Sequence, residues 1–282
     1  MKSVVVTGVS TGIGWGCAKV LTQAGFRVFG SVRKKEDAER LEREFGDSFS
    51  PLLFDVTDEA AVAAAAQEVA AALGRETLSG LVNNAGVAVI GPLAYLNTGD
   101  FRRQIEVNLV GPFIVAKAFA PLLGVDRARQ GPPGRIVMIS SVGGRMAYPF
   151  GGAYHASKFG LEGLSESLRR ELMLFGIDVV VIAPGAVATP IWGKAEGAGG
   201  AFAATPYANP IERMQRLAAS AAKRGLPPER IGEAVKTALT AQTPKVRYSV
   251  APNPMQTFLI GFLPKRLVDN QVAKRLGLKA SS

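Results

Sequence analysis

Short β-branched runs alternate with helix-like stretches along almost the whole chain, and this alternation limits the possible folds more than any other feature. Residues 3–6, 27–32, 52–55, 78–83, 135–140, 178–182 and 247–251 read as strands. Helical spacing fills 12–24, 34–45, 59–73, 101–122, 154–175 and 230–240, with Asp58 as the cap before 59–73. Strands and helices alternating at this interval predict an α/β fold, a doubly wound domain around a mostly parallel seven-stranded sheet. Val179-Val180-Val181-Ile182 is apolar at every position, as a strand covered on both faces requires. No internal repeat or domain boundary divides 1–282, so one dinucleotide-binding and catalytic domain is expected.

Composition removes several function classes. Of the 282 residues 48% are apolar, enough for a sizeable core. A single cysteine, Cys17, excludes an internal disulfide framework and a multi-cysteine metal site. A single histidine, His155, argues against a histidine zinc site or a Ser-His-Asp triad. No metal is expected. Lys+Arg exceed Asp+Glu by 33 to 23, and the resulting +10 attracts anions without choosing among nucleotide, nucleic acid and acidic lipid. No base-reading motif or stacking-aromatic pattern accompanies the charge, so nucleic acid is not an expected partner. No stretch reads as a secretory leader or a membrane-spanning helix, and the expectation is a cytoplasmic protein.

Two stretches look inserted into the α/β core, a polar loop at 124–134 and residues 189–226. Residues 189–226 are rich in Ala and Gly and carry Trp192, Phe202, Tyr207, Ile211 and Met214. They read either as a substrate lid over the carboxyl edge of the sheet or as a surface excursion. Residues 252–282 form a C-terminal extension in which Pro264 starts a helix. Leu267, Val268, Val272 and Leu276 lie on one side of it, and Lys265, Arg266, Lys274 and Arg275 around the other. Peripheral contact with an anionic membrane is one reading. A tail packed over the substrate pocket or a neighbouring subunit is the preferred one.

The first strand–helix junction is glycine-rich: Thr7-Gly8-Val9-Ser10-Thr11-Gly12-Ile13-Gly14. Glycines let backbone approach a phosphate, and the helix start offers free N–H groups to a pyrophosphate. The spacing is G-x3-G-x-G rather than the common G-x-G-x-x-G. Arg33, Lys34 and Lys35 follow the second strand, where a carboxylate would accept a ribose 2′-OH. Cations there favour NADP(H), with NAD(H) possible.

Tyr154 and Lys158 lie four apart on a predicted helix and share a face. A neighbouring ammonium favours the tyrosinate, which brings the phenol toward acid–base work near neutral pH. Ser141 lies at the end of the fifth strand, Asn83-Asn84-Ala85-Gly86 at the end of the fourth, and Asn108 inside a helical run where Asn is a poor former. The next hydroxyl, Ser140, is the residue most easily confused with Ser141.

Taken together these motifs resemble the short-chain dehydrogenases/reductases. The matches are T-G-x3-G-I-G at 7–14, N-N-A-G at 83–86, and Asn108 in Val-Asn-Leu-Val-Gly. Ser140-Ser141, Y-x-A-S-K at 154–158 and P-G-x-V-x-T at 184–189 follow in family order. The surroundings of Tyr154 are most similar to the hydroxysteroid and retinol dehydrogenase branch. The resemblance implies a Rossmann-type fold and an oxidoreductase interconverting an alcohol and its ketone or aldehyde. It also implies site roles. Tyr154 is the general acid/base, and Lys158 holds the nicotinamide ribose. Ser141 bonds the carbonyl oxygen, and Asn108 holds a relay water. Gly8, Ser10, Thr11, Gly12, Ile13, Gly14, Arg33, Asp55, Val56, Asn84, Ala85 and Gly86 would meet the adenosine and pyrophosphate. Pro184, Gly185, Val187 and Thr189 would meet the nicotinamide. Ser141, Tyr154 and Trp192 would touch a hydrophobic substrate such as a steroid, a retinoid or a longer-chain alcohol. A homodimer or homotetramer pairing the 101–122 and 154–175 helices is implied as well. His155 is expected to serve packing. The alternative function is a dinucleotide-binding sensor or scaffold without turnover.

Overall fold

The computed structural model describes residues 1–189, 198–252 and 263–278. Seven strands form one sheet: β1 Ser3–Val6, β2 Arg27–Val32, β3 Phe49–Leu53, β4 Gly80–Asn83, β5 Arg135–Ile139, β6 Asp178–Pro184 and β7 Arg247–Val250. Their order is β3-β2-β1-β4-β5-β6-β7. Every pairing is parallel, where a mostly parallel sheet was expected.

The strand sequences account for the two layers. In β1, Val5 belongs to the apolar core on one side of the sheet, and Val4 and Val6 to the core on the other. Ile136 and Met138 alternate in the same way with Val137 and Ile139 along β5. A strand's side-chain period of two thus feeds both cores, so no polar position is needed. Helices α3 (Glu59–Leu73), α5 (Gly111–Phe119) and α6 (Gly152–Glu171) cover the first side through Val62, Val115, Phe119 and Leu161. On the other side lie α1 (Gly12–Gln23), α2 (Lys35–Phe45) and a helix at Pro228–Thr240, bringing Leu21, Leu41, Ile231 and Val235. Cys17 is fully buried there, and burial pushes its thiol up to about 12.

The third strand departs from expectation. It runs over Phe49–Leu53, three residues before the expected 52–55, and carries Pro51 opposite Gly30. Proline breaks the local strand pattern, but β3 is an edge strand, where a missing N–H need not cost a ladder bond. The expected helix 101–122 is a continuous run, Thr98–Leu123, with two local adjustments. Between α4 (Thr98–Ile105) and α5, residues Glu106–Val110 form one π-helical turn, and Ala120–Leu123 tighten to 3-10 geometry. The run has the length and apolarity of a membrane span, yet Gln104, Asn108, Val115 and Phe119 point into the protein.

A smaller apolar cluster sits beyond the carboxyl edge of the sheet. Phe150, Ile211 and Leu276 are buried in it, with Phe202, Tyr207, Met214 and Val272 packed against them. It joins a helix at Ala208–Lys223, within the stretch expected to form a lid, to the C-terminal helix Lys265–Leu276. Val272 and Leu276 thus face the protein, as a packed tail requires, while Leu267 stays exposed.

Candidate active site

The glycine-rich loop is held by its neighbours on both sides. Gly8 and Gly12 take left-handed φ values of 70° and 61°, which favour glycine. The Thr7 hydroxyl accepts the Asn84 and Ala85 N–H groups at 2.9 and 3.0 Å. The Asn84 amide in turn donates to the Thr7 and Gly8 carbonyls at 2.8 and 3.1 Å. Gly8 N–H donates to Ser31 Oγ at 2.9 Å, and Arg40 to the Ser10 carbonyl at 2.7 Å. A Cβ on Gly14 would stand 2.1 Å from Gly8 O and 2.5 Å from Asn84 Nδ2. The N-cap of α1, Thr11, makes no side-chain cap bond to the helix start at Gly12 and Ile13, and N–H groups left so at a glycine-rich helix start form a backbone cradle of the kind that suits a phosphate.

Past the ends of β2 and β3, a cavity of about 340 Å³ is lined by Arg33, Asp55, Thr57, Val87 and Val107, among others. Asp55 accepts from the Thr57 N–H and hydroxyl at 3.0 and 2.9 Å and pairs with Arg33 at 3.6 Å. Burial pushes its carboxyl up, but these partners together outweigh that and hold it below its usual range. Val56 is buried and packs on Gly111, so only its backbone can face a ligand. Gly86 is exposed beside Asn108, where a Cβ would lie 3.3 Å from Asn108 Oδ1.

Asn108 occupies the π turn and is buried. Its Oδ1 accepts Val87 N–H at 2.9 Å, and its Nδ2 donates to Val87 O at 3.0 Å and Ser157 Oγ at 3.2 Å. One turn earlier, buried Gln104 donates to Val87 O at 2.8 Å and accepts from Val89 N–H at 2.7 Å. Two amides thus clamp the chain leaving β4. The Asn108 side chain is thus committed to protein partners, which leaves its main chain as the part able to hold the expected water. Gln104 escaped the sequence reading, although its spacing of four from Asn108 is a usable signal.

The end of β5 and the start of α6 bring Ser141, Tyr154 and Lys158 together. Ser141 Oγ accepts Gly143 N–H at 3.0 Å. Lys158 is buried, donates to Ile139 O at 2.8 Å, and has its ammonium 5.9 Å from the centre of the Tyr154 ring. Burial raises the Tyr154 phenol above its ordinary value, and hydrogen bonding with Ser141 pulls the other way. Burial also brings the Lys158 amine down to about 8, against the opposing charge of Glu162. The expectation of a phenol drawn down by its neighbour is therefore corrected. Desolvation disfavours both charged forms, and it dominates here.

His155 does serve packing. Its Nδ1 lies 2.9 Å from the Gly143 carbonyl, so Nδ1 carries the proton, and its ring abuts Tyr154 and Tyr148 at 5.7 and 6.3 Å between centres. It clasps the turn that follows Ser141. Ser140 Oγ is buried and finds no partner among the described residues.

Pro184 ends β6 at the same edge, and Gly185 N–H donates to Val250 O at 2.9 Å. Val187 is buried and bridges to Leu226, and Thr189 is half-buried. Trp192 lies outside the described residues. The apolar cluster packs against the chain that follows β4, at Ile90 and Tyr95. Tyr207 meets Tyr95 and Phe150 edge-on at 5.9 and 5.8 Å, and a Cβ on Gly91 would stand 2.7 Å from Phe202. The described members of the expected set therefore meet along the carboxyl edges of β1 to β6, centred on the β1–β4 switch point where such sheets bind ligands.

Comparison with known proteins agrees with this geometry. The family model described as short chain dehydrogenase matches residues 2–198. An "NADPH-dependent 3-dehydrocapnine reductase" of Ornithobacterium rhinotracheale is 39% identical over 277 residues, 98% of each chain. Human "Retinol dehydrogenase 5" is 38% identical over 94% of this chain and 86% of its own length. A metagenomic short-chain oxidoreductase solved in complex with NADP superposes with a TM-score of 0.68 at 31% identity, covering 89% of this chain and 97% of that one. The chain belongs to the short-chain dehydrogenase family of oxidoreductases.

Proposed function

We propose that this chain is an NADPH-preferring oxidoreductase that interconverts an alcohol and its ketone or aldehyde on a hydrophobic substrate, with Tyr154 as general acid/base. The convergence of Ser141, Tyr154 and Lys158 beside a backbone phosphate cradle is the observation that carries this reading. The cradle over Gly14, the uncapped start of α1 and the Arg33–Asp55 cavity fit a dinucleotide. When bound, the cofactor supplies or takes the hydride at the carbinol carbon. Arg33, 64% exposed at the mouth of the cavity, suits a 2′-phosphate, and NADH remains a usable second cofactor. The relative named for NADPH and the neighbour solved with NADP support the preference.

In reduction, Ser141 holds the carbonyl oxygen. The Tyr154 O–H bond breaks as that oxygen gains charge, and its proton moves there. A phenol held above its ordinary value carries its proton at neutral pH, which suits the donor role. Lys158 binds the nicotinamide ribose and stands ready to return a proton to Tyr154. The water that the family uses beyond Lys158 would hang from the Asn108 main chain, since the side chain is occupied.

Phe150, Phe202, Tyr207, Ile211 and Met214 give the substrate side an aromatic and aliphatic cover. This supports residues 189–226 as the lid and a substrate with a large apolar part. Phe113 and Phe159, 46% and 45% exposed on α5 and α6, suit pairing of these helices in a homodimer or homotetramer.

The test is NADPH oxidation with 3-dehydrocapnine and retinal as first carbonyls. Tyr154→Phe should lose at least a hundredfold in kcat while still binding NADPH. Unchanged turnover in that variant would remove Tyr154 from the chemistry. Tight NADPH binding without turnover of any carbonyl or alcohol would favour a sensor or scaffold.

A further inference from the structure

Lys158 is a cation only 6% exposed, and its described hydrogen bond goes to a main-chain carbonyl. One carbonyl does not offset the loss of water around an ammonium. An opposite charge stands one turn further along α6. Glu162 follows Lys158 by four residues, as Lys158 follows Tyr154, so the three side chains share a face.

The Glu162 side chain is 14% exposed and reaches two other elements. It pairs with Arg247 of β7 at 3.2 Å and with Arg145, just past the Ser141 turn, at 3.6 Å. Arg247 also meets its second oxygen at 3.3 Å, a two-point grip. A Cβ on Gly144 would lie 3.1 Å from Glu162 Oε1 and 2.7 Å from Ser140 Oγ. The carboxylate therefore stands beside the strand end whose Ile139 carbonyl holds Lys158. Among the described residues, neither Arg145 nor Arg247 pairs with another carboxylate.

The inference assumes the enzymatic reading above. We propose that Glu162 is a positioning residue for the reaction: gripped by Arg247 and Arg145 one turn beyond Lys158 on the same side of α6, its carboxylate keeps the Lys158 amine charged beside Tyr154. The amine meets the Tyr154 ring and the Ile139 carbonyl, with Glu162 one turn further along α6 and, against Glu162, Arg145 from the turn after β5 and Arg247 from β7. Burial opposes its charge, and Glu162 favours it.

A plain latch between α6 and β7 makes a different forecast. Breaking the Glu162–Arg247 pair from either end loosens a latch in the same way. The charge cluster gives opposite signs. Glu162→Gln removes the acid that favours the ammonium, whereas Arg247→Met leaves that acid with one guanidinium fewer sharing it. NADPH affinity, read by quenching of protein fluorescence across pH 6–10, reports the charge of Lys158 without requiring turnover. The pH midpoint of its loss should fall by about one unit in Glu162→Gln, a tenfold drop in proton affinity, and should rise in Arg247→Met. Arg145 is 66% exposed, so Arg145→Met tests the upward sign where folding is not at stake. Turnover of Glu162→Gln should drop about twofold at pH 7 and approach a tenfold loss near pH 9, with partial recovery in Glu162→Asp. Midpoints that stay put, or that move in the same direction in the Glu162 and arginine variants, overturn the proposal. A wild type that binds NADPH but reduces no carbonyl would sink the enzymatic reading and still leave the affinity midpoints to judge Glu162.

Discussion

Replacing Asn108 by Ala removes three hydrogen bonds of unequal weight. The Val87 carbonyl keeps its Gln104 donor at 2.8 Å, and the Ser157 hydroxyl still donates to the Tyr154 carbonyl at 2.7 Å. The Val87 N–H keeps nothing. An orphaned donor costs about 1–3 kcal/mol when buried. Val87 is only half-buried, so water softens the loss to about 1–2 kcal/mol. Each kcal/mol moves the Tm of a domain near this size by roughly 2–4 °C. The expected fall is therefore about 2–8 °C by scanning calorimetry. Gln104→Ala should behave alike through the Val89 N–H. In the double variant Val87 O loses both donors, so the combined loss should exceed the sum of the singles. Val87 also lines the Arg33–Asp55 cavity, so NADPH affinity should fall with stability. An Asn108→Ala protein with unchanged Tm and unchanged NADPH affinity, impaired only in turnover, would refute the clamp.

Three further outcomes are expected. Gly14→Ala puts a methyl 2.1 Å from Gly8 O. The overlap costs about 1–3 kcal/mol and falls on the phosphate loop, so NADPH affinity should drop at least tenfold by titration, and near-normal binding would place the phosphates elsewhere. Arg33→Ser should lower the ratio of kcat/KM for NADPH over NADH about tenfold, and an unchanged ratio would remove Arg33 from 2′-phosphate recognition. Lys158→Met should abolish turnover yet raise Tm at pH 7. The folded-state value near 8 lies below the ordinary 10.5, so the unfolded chain holds more protons between these limits and wild-type stability climbs with pH there. The Tm advantage of the methionine variant should shrink toward pH 10.5, and a variant less stable than wild type at pH 7 would contradict a desolvation penalty on this lysine.

Much of the candidate site was legible because it is built from local patterns at strand ends. Gly8, Gly12 and Gly14 follow one apolar run, Asn84 and Ser141 end two others, and Tyr154 and Lys158 have helical spacing. Once strands and helices alternate, a parallel sheet brings every strand's carboxyl end to one edge, so these residues must meet. β3 was placed late because Pro51 hides an edge strand whose pairing partner lies elsewhere in the chain. The π turn at Asn108 was not legible, since nothing in Glu-Val-Asn-Leu-Val announces a shifted hydrogen-bond register.

Periodicity alone settled the alternating architecture and the two-sided burial of the strands, and the family resemblance supplied the roster expected at the carboxyl edge, because each depends on residues close together in the chain. The tertiary structure decided what those residues are free to do. The Asn108 amide is taken by Val87, 21 positions away, and Glu162 meets Arg247 across 85. The protonation of Tyr154 and Lys158 follows the same rule. Charge is set by how much water and how many opposing groups surround an atom, and only packing between distant segments determines that.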